Sequence, residues 1–181
     1  MKKTAILLFA ITSFFVSFSA FSQDFNYVFY SNSEKCNFGN YQSFYKGFEN
    51  SIKNDKNFKQ YTFSSYDYSK TNSYILSKNA DIIVIFIAEQ TATLGSYDPT
   101  KAFYTQMIQD LKNANPHACI YGAYFGVIQT PFMAGSWDAF ASANVRFNLY
   151  SDAAMNPGHG LISYDALKAD ILKLAPTIQS F

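Results

Sequence analysis

The sequence predicts an α/β protein: a three-layer sandwich around a five-stranded parallel sheet in the strand order 2-1-3-4-5. Three observations carry this. Strand and helix signals alternate along the chain from residue 27 onward. Residues 80–88 are almost wholly Ile, Val, Phe and Ala, the mark of a strand covered on both faces, as in parallel sheets flanked by helices. No internal repeat and no linker interrupts the alternation, which fits one layered domain.

The elements follow in order. Residues 27–30 are an apolar run that enters the polar loop 31–40, giving the first strand. Tyr41, Phe44, Tyr45, Phe48 and Ile52 then recur at helical spacing, one stripe on a helix of about 14 residues. Tyr61 and Phe63 alternate with polar neighbours as a second strand, polar enough for an edge. Ser69 is placed to cap a short helix carrying Tyr74, Ile75 and Leu76. The third strand, residues 80–88, is the most apolar and takes the centre.

Asp98 and Pro99 read as a side-chain cap followed by proline at the first helical position. Phe103, Met107 and Leu111 stripe that helix, and Asn115 with Pro116 stops it. Residues 118–125 are the fourth strand. Thr130 and Pro131 open a further helix, which Gly135 interrupts. Val145, Phe147 and Leu149 alternate as the fifth strand. Ser163 caps a last helix with Leu167, Ile171 and Leu174 on one face, ending before Pro176.

The start of the chain predicts export. Lys2 and Lys3 precede an apolar stretch over residues 5–18, and small residues follow at Ala20 and Ser22. That run is shorter than the roughly 20 apolar residues of a membrane span, and fits a signal peptide over residues 1–22. The domain is then residues 23–181, periplasmic or secreted, with no membrane span after cleavage. Removing 22 of the 181 residues leaves 159, enough for one sizeable core. Two lysines leave with the leader, taking the formal charge from +1 to −1. With no Lys/Arg cluster and a charge near zero, no nucleic-acid partner is expected. The 19 Phe and 14 Tyr mean that aromatic side chains carry much of the core.

In an open parallel sheet a ligand sits outside the carboxyl ends of the strands, where strand order reverses. Here that point lies between the first and third strands. Ser31, Asn32, Ser33 and Asn40 offer hydrogen bonds beside a helix N-terminus, and Lys35 a charge; as ordinary loop formers they equally cap that helix. Glu89, Gln90, Thr91 and Tyr97 leave the central strand. Glu89 is placed to act as a base or ligand anchor, or as a solvated loop carboxylate. His159 lies between Gly158 and Gly160. It either pairs with Cys36 as thiol and imidazole, with Asp152 or Glu89 orienting the ring, or stands in a turn. Tyr97, Phe125, Phe132 and Trp137 are able to stack on a planar ligand.

His117 falls before the fourth strand, on the edge opposite His159. Two lone histidines make no ligand cluster, so no metal site is expected. The same geometry separates the two cysteines. Cys119 starts strand four and Cys36 lies beyond the end of strand one, so a strand length of roughly 20 Å separates them. Bridged Cα atoms lie about 4.4–6.8 Å apart, so the two are not expected to bond.

The element order, the stretch from residue 27 to residue 40, and the run Ala118-Cys-Ile-Tyr-Gly-Ala-Tyr-Phe-Gly126 resemble the flavodoxin-like fold. The resemblance implies FMN as a possible cofactor, held by the first loop. That loop departs from the short Ser/Thr/Gly-rich phosphate loop of flavodoxins: it is longer and contains Glu34, a carboxylate unfavourable beside a bound anion. The expectation is therefore an exported protein that binds a small molecule or partner protein without catalysis. The alternatives are an FMN- or nucleotide-binding redox protein, and a thiol-dependent enzyme using Cys36.

Overall fold

A computed structural model of the protein describes residues 24–31, 39–67, 79–88, 96–125, 131–150 and 164–178, with Tyr74 and Leu76 between them. Its strands are β1 (Asn26–Ser31), β2 (Gln60–Ser65), β3 (Ile82–Ala88), β4 (Cys119–Phe125) and β5 (Arg146–Leu149). Its helices are α1 (Gly39–Lys53), α2 (Tyr97–Ala114), α3 (Pro131–Ser142) and α4 (Tyr164–Ile178). All strand pairs are parallel, in the order β2-β1-β3-β4-β5. The protein is thus an α/β sandwich of flavodoxin-like order, as the sequence predicts.

Successive strand residues point to opposite faces, which divides the core in two. Tyr27, Phe29, Ile82, Val84 and Phe86 face α1 and α4, where Tyr45, Phe48, Ile52, Leu167, Ile171 and Leu174 meet them. Val28, Tyr30, Ile83, Ile85, Ile87 and Tyr124 face α2 and α3, against Phe103, Tyr104, Met107, Leu111 and Phe140. Every residue from Ile82 to Ile87 is fully buried. This is the double-faced burial that its unbroken apolar run required. β2 is the contrast: Tyr61 and Phe63 are half-buried and their neighbours more open, as befits an edge.

Three local expectations change, and a fourth falls largely outside the described residues. α2 begins at Tyr97 with Ser96 as the N-cap, so Asp98 lies within the first turn and does not cap it. Its carboxylate there still complements the helix dipole. Gly135 does not interrupt α3, which runs unbroken from Pro131 to Ser142. A Cβ on Gly135 would lie 2.3 Å from the Tyr97 carbonyl oxygen, so the glycine lets α2 and α3 approach closely. α4 does not end before Pro176 but continues to Ile178, since a proline removes one helical hydrogen bond without having to end the helix. Between β2 and β3 the predicted short helix lies largely outside the described residues; Tyr74 is buried there and Leu76 exposed.

Candidate functional site

The reversal of strand order has a physical counterpart at the carboxyl edge. The connection leaving β1 enters α1 on one face, and that leaving β3 enters α2 on the other. In open parallel sheets such a reversal is where ligands bind; the two connecting segments themselves lie outside the described residues.

The described residues near the carboxyl ends of the strands carry buried hydroxyls. Ser31, the last residue of β1, is fully buried. Its carbonyl accepts the Tyr66 N–H at 2.9 Å, and its hydroxyl shares a hydrogen bond with Tyr45. The Tyr66 phenol donates to the Phe86 carbonyl at 2.5 Å and lies 3.0 Å from the Tyr104 hydroxyl. Further along, the Tyr124 phenol donates to Ser136 Oγ at 3.1 Å, both groups fully buried.

Burial holds the Tyr45 and Tyr124 phenols in the neutral form. It pushes the Tyr45 pKa far above the ordinary tyrosine value, with Glu49 adding in the same direction and Ser31 opposing. Burial likewise raises Tyr124, with Ser136 opposing. Neither of these two phenols is poised to give up a proton near neutral pH.

The predicted site residues distribute as follows. Ser31 stands at the carboxyl edge, as the last residue of β1. Tyr97 begins α2, and its phenol donates to Asp138 of α3 while Lys101 Nζ approaches its oxygen at 3.2 Å. Asn40 lies in the first turn of α1, described in backbone only. Asn32, Ser33, Lys35, Cys36, Glu89, Gln90, Thr91, Asp152 and His159 lie outside the described residues. His117 is exposed in the turn between α2 and β4, on the amino edge where the sequence placed it. Cys119 is a free thiol at the start of β4, on that same edge. Burial pushes its pKa up and Arg146 opposes that shift, so the thiol is not activated. Trp137, on α3, is 37% exposed and packs edge-on to Phe147 at 4.5 Å between ring centroids. The side chains of Phe125 and Phe132 lie outside the described residues.

Sequence reasoning passed over a second region. Tyr121, Arg146, Phe147, Asn148, Asp170, Lys173 and Leu174 line a groove of about 470 Å³ between β5 and α4. The Tyr150 phenol donates to Asp170 Oδ2 at 2.8 Å, so the Tyr121 hydroxyl, 2.5 Å from that of Tyr150, donates to it in turn. Burial alone would raise the Asp170 carboxyl, but hydrogen bonds from Tyr150, Lys173 and Asn148 outweigh it and hold the pKa below the ordinary value. In sequence these residues lie far apart, and only Asn148 with Arg146 hints at a polar face on an edge strand.

Among the described residues no group of His, Cys, Asp and Glu is arranged to hold a metal ion, and no helix is long and apolar enough to cross a membrane. No family model matches the chain, and no curated protein matches it. Among solved structures it is similar to an active site mutant of a family two carbohydrate esterase from Clostridium thermocellum in complex with celluohexase. The TM-score is 0.52 at 10% identity, covering 84% of this chain and 63% of that one. The chain thus spans less than two thirds of that esterase's length, and the likeness is one of fold. What this protein shares with that carbohydrate esterase is its α/β fold.

Proposed function

We propose that the protein is an exported hydrolase of carbohydrate esters, acting at the carboxyl edge of the sheet between β1 and β3. The observation that carries this is the fold shared with a carbohydrate esterase over most of the chain. Lys2, Lys3 and the apolar run that follows support export.

Acyl transfer needs a nucleophile, a base and donors for the developing oxyanion. The described geometry narrows the choice of nucleophile and base. The Ser31 hydroxyl is engaged with Tyr45, and His117 stands on the wrong edge. We take Ser33, two residues past β1, as nucleophile and His159 as base, with Asp152 or Glu89 orienting the imidazole. The anchor points of their segments support the pairing. Tyr164, which begins α4, lies over Gly47 of α1: a Cβ there would be 2.4 Å from the Tyr164 hydroxyl. His159 is five residues from that anchor, a reach of at most ~17 Å. Ser33 Oγ attacks the ester carbonyl while His159 takes its proton; the sugar alcohol leaves with that proton, and water then releases the acid from the acyl-serine.

Glu34 favours a second reading, binding of the same carbohydrate without turnover, because a carboxylate beside the nucleophile opposes the oxyanion. Hydrolysis of 4-nitrophenyl acetate and of an acetylated cello-oligosaccharide separates the two. Turnover that falls on the order of 10²–10⁴-fold in Ser33→Ala and His159→Ala, and survives in Cys36→Ala, is the expected result. Oligosaccharide binding without turnover selects the second reading. Loss in Cys36→Ala alone points to a thiol enzyme, and FMN binding with no turnover to a redox protein; either overturns the proposal.

A further inference from the structure

We propose that the groove between β5 and α4 is a separate binding site for a sugar acid, a polyhydroxylated monocarboxylate. It lies on the α1/α4 face, away from the carboxyl edge, and is independent of the esterase reading.

Arg146 carries the inference. It is the sole arginine in the chain, exposed at the first position of β5. Among the described residues no ion pair involves it, whereas Lys53, Lys59, Lys101, Lys168 and Lys173 are all paired. Its guanidinium borders a groove floored by Tyr121 and Leu174. Arginine presents a planar fork that matches a carboxylate with two parallel hydrogen bonds, a match that lysine lacks.

The other polar groups set what else the ligand carries. Asp170 Oδ2 accepts from Tyr150 at 2.8 Å and from Asn148 Nδ2 at 3.3 Å, and Oδ1 accepts from Lys173 at 3.0 Å. The carboxylate is thereby fixed in place and its charge is balanced by Lys173. Arg146, Lys173 and Asp170 together leave the groove with one uncompensated positive charge, the complement of one carboxylate. Asn148 and the remaining acceptor capacity of Asp170 suit hydroxyl groups beside it. An aromatic and aliphatic floor suits the apolar face of a sugar ring. A phosphate would satisfy the charge but leave the hydroxyl-seeking groups unused.

The test is a titration of the full mature chain with D-glucuronate, followed by ligand-observed NMR and calorimetry, with D-glucose and inorganic phosphate as comparators. Glucuronate is expected to bind at least tenfold more tightly than either. Binding should weaken at least tenfold in Arg146→Gln, and weaken measurably in Arg146→Lys, where the charge remains and the fork is lost. Circular dichroism checks that both variants are folded, and turnover of neutral esters should be unchanged in them. Glucose or phosphate binding as tightly as glucuronate overturns the assignment, as does full affinity in folded Arg146→Gln. Neither result bears on Ser33 and His159.

Discussion

The two faces of the sheet strike different balances of ring packing and hydrogen bonding, although hydrogen-bonded phenols occur on both, Tyr45 with Ser31 and Tyr121 with Tyr150 on the α1/α4 face. On the α1/α4 face, phenyl rings do most of the work: Phe29 stacks on Phe63 at 4.8 Å, and Phe86 takes Tyr45 and Phe48 edge-on at 5.4 Å each. On the α2/α3 face, buried phenols are tied by hydrogen bonds, Tyr66 to Phe86 and Tyr104, and Tyr124 to Ser136. The helix pairs differ too. α2 and α3 meet backbone to backbone at Gly135, whereas α1 and α4 meet through a side chain, Tyr164 over Gly47. The first face resists change through bulk and shape, the second through direction and close approach.

Three substitutions break or sharpen that contrast. The largest effect is expected from Phe86→Ala, which empties a fully buried position at the centre of the phenyl cluster. A loss of ~3–5 kcal/mol in denaturant unfolding is expected. A loss under about 1 kcal/mol, the range of volume-conserving swaps, would show that the cluster repacks and that shape is not what holds this face.

Next come the two glycines. Gly135→Ala puts a methyl against a backbone oxygen that cannot swing away, and should cost about 1–3 kcal/mol through forced separation of α2 and α3. Gly47→Ala meets only the far end of the Tyr164 side chain. Its gain in helix propensity, about 0.5–1 kcal/mol, should offset most of that cost. Equal losses would erase the distinction between the two helix contacts.

The smallest effect concerns acid. Hydrogen bonds from the Asn57 backbone hold the Asp55 carboxyl below its ordinary value, against burial and with help from the Asn57 side chain and Lys168. Asp170 is depressed likewise, as described above. Both pin the margins of the α1/α4 face, Asp55 through Lys168 of α4 at 3.4 Å. Because both pKa values fall on folding, the stability they supply is present above an unfolded-state pKa of about 3.9 and is lost as pH falls from there through the lower folded-state values. Hydrogen exchange below pH 4 should therefore rise first in α4, and less so in Asp55→Asn with Asp170→Asn. Equal protection of α2 and α4 under those conditions would contradict it.

The sequence made the sheet legible because burial on both faces leaves a direct trace. No polar residue is tolerated from Ile82 to Ile87, and edge strands such as β2 show their alternation. It misread Gly135 because a glycine that breaks a helix and one that admits a neighbouring helix look alike until the neighbour is placed. Pro176 misled in the same way, since whether a proline ends or merely bends a helix is decided by packing. Asp98 drew attention from Ser96 because both can cap, and the choice depends on where the chain leaves β3. The strand reversal was readable; Ser31, read as the first residue of the polar loop, is instead the buried last residue of β1. Its bond to Tyr45 was not readable, because the partners meet only when α1 packs on the sheet. The β5 groove left still less trace: Arg146, Asp170 and Lys173 belong to different elements, and nothing in their spacing joins them.

One further consequence follows from Trp137. It is the only tryptophan among 14 tyrosines, half-open to solvent and seated between Tyr124 and Phe147 at 5.9 and 4.5 Å. Light absorbed by the buried tyrosines can pass to this one indole, so the protein's emission reports from a single known place. Phe147, its nearest aromatic neighbour, also lines the β5 groove, while α3 follows directly from the loop that leaves β4. An occupant on either side of that strand would therefore alter the colour or yield of one native lamp, with no label attached.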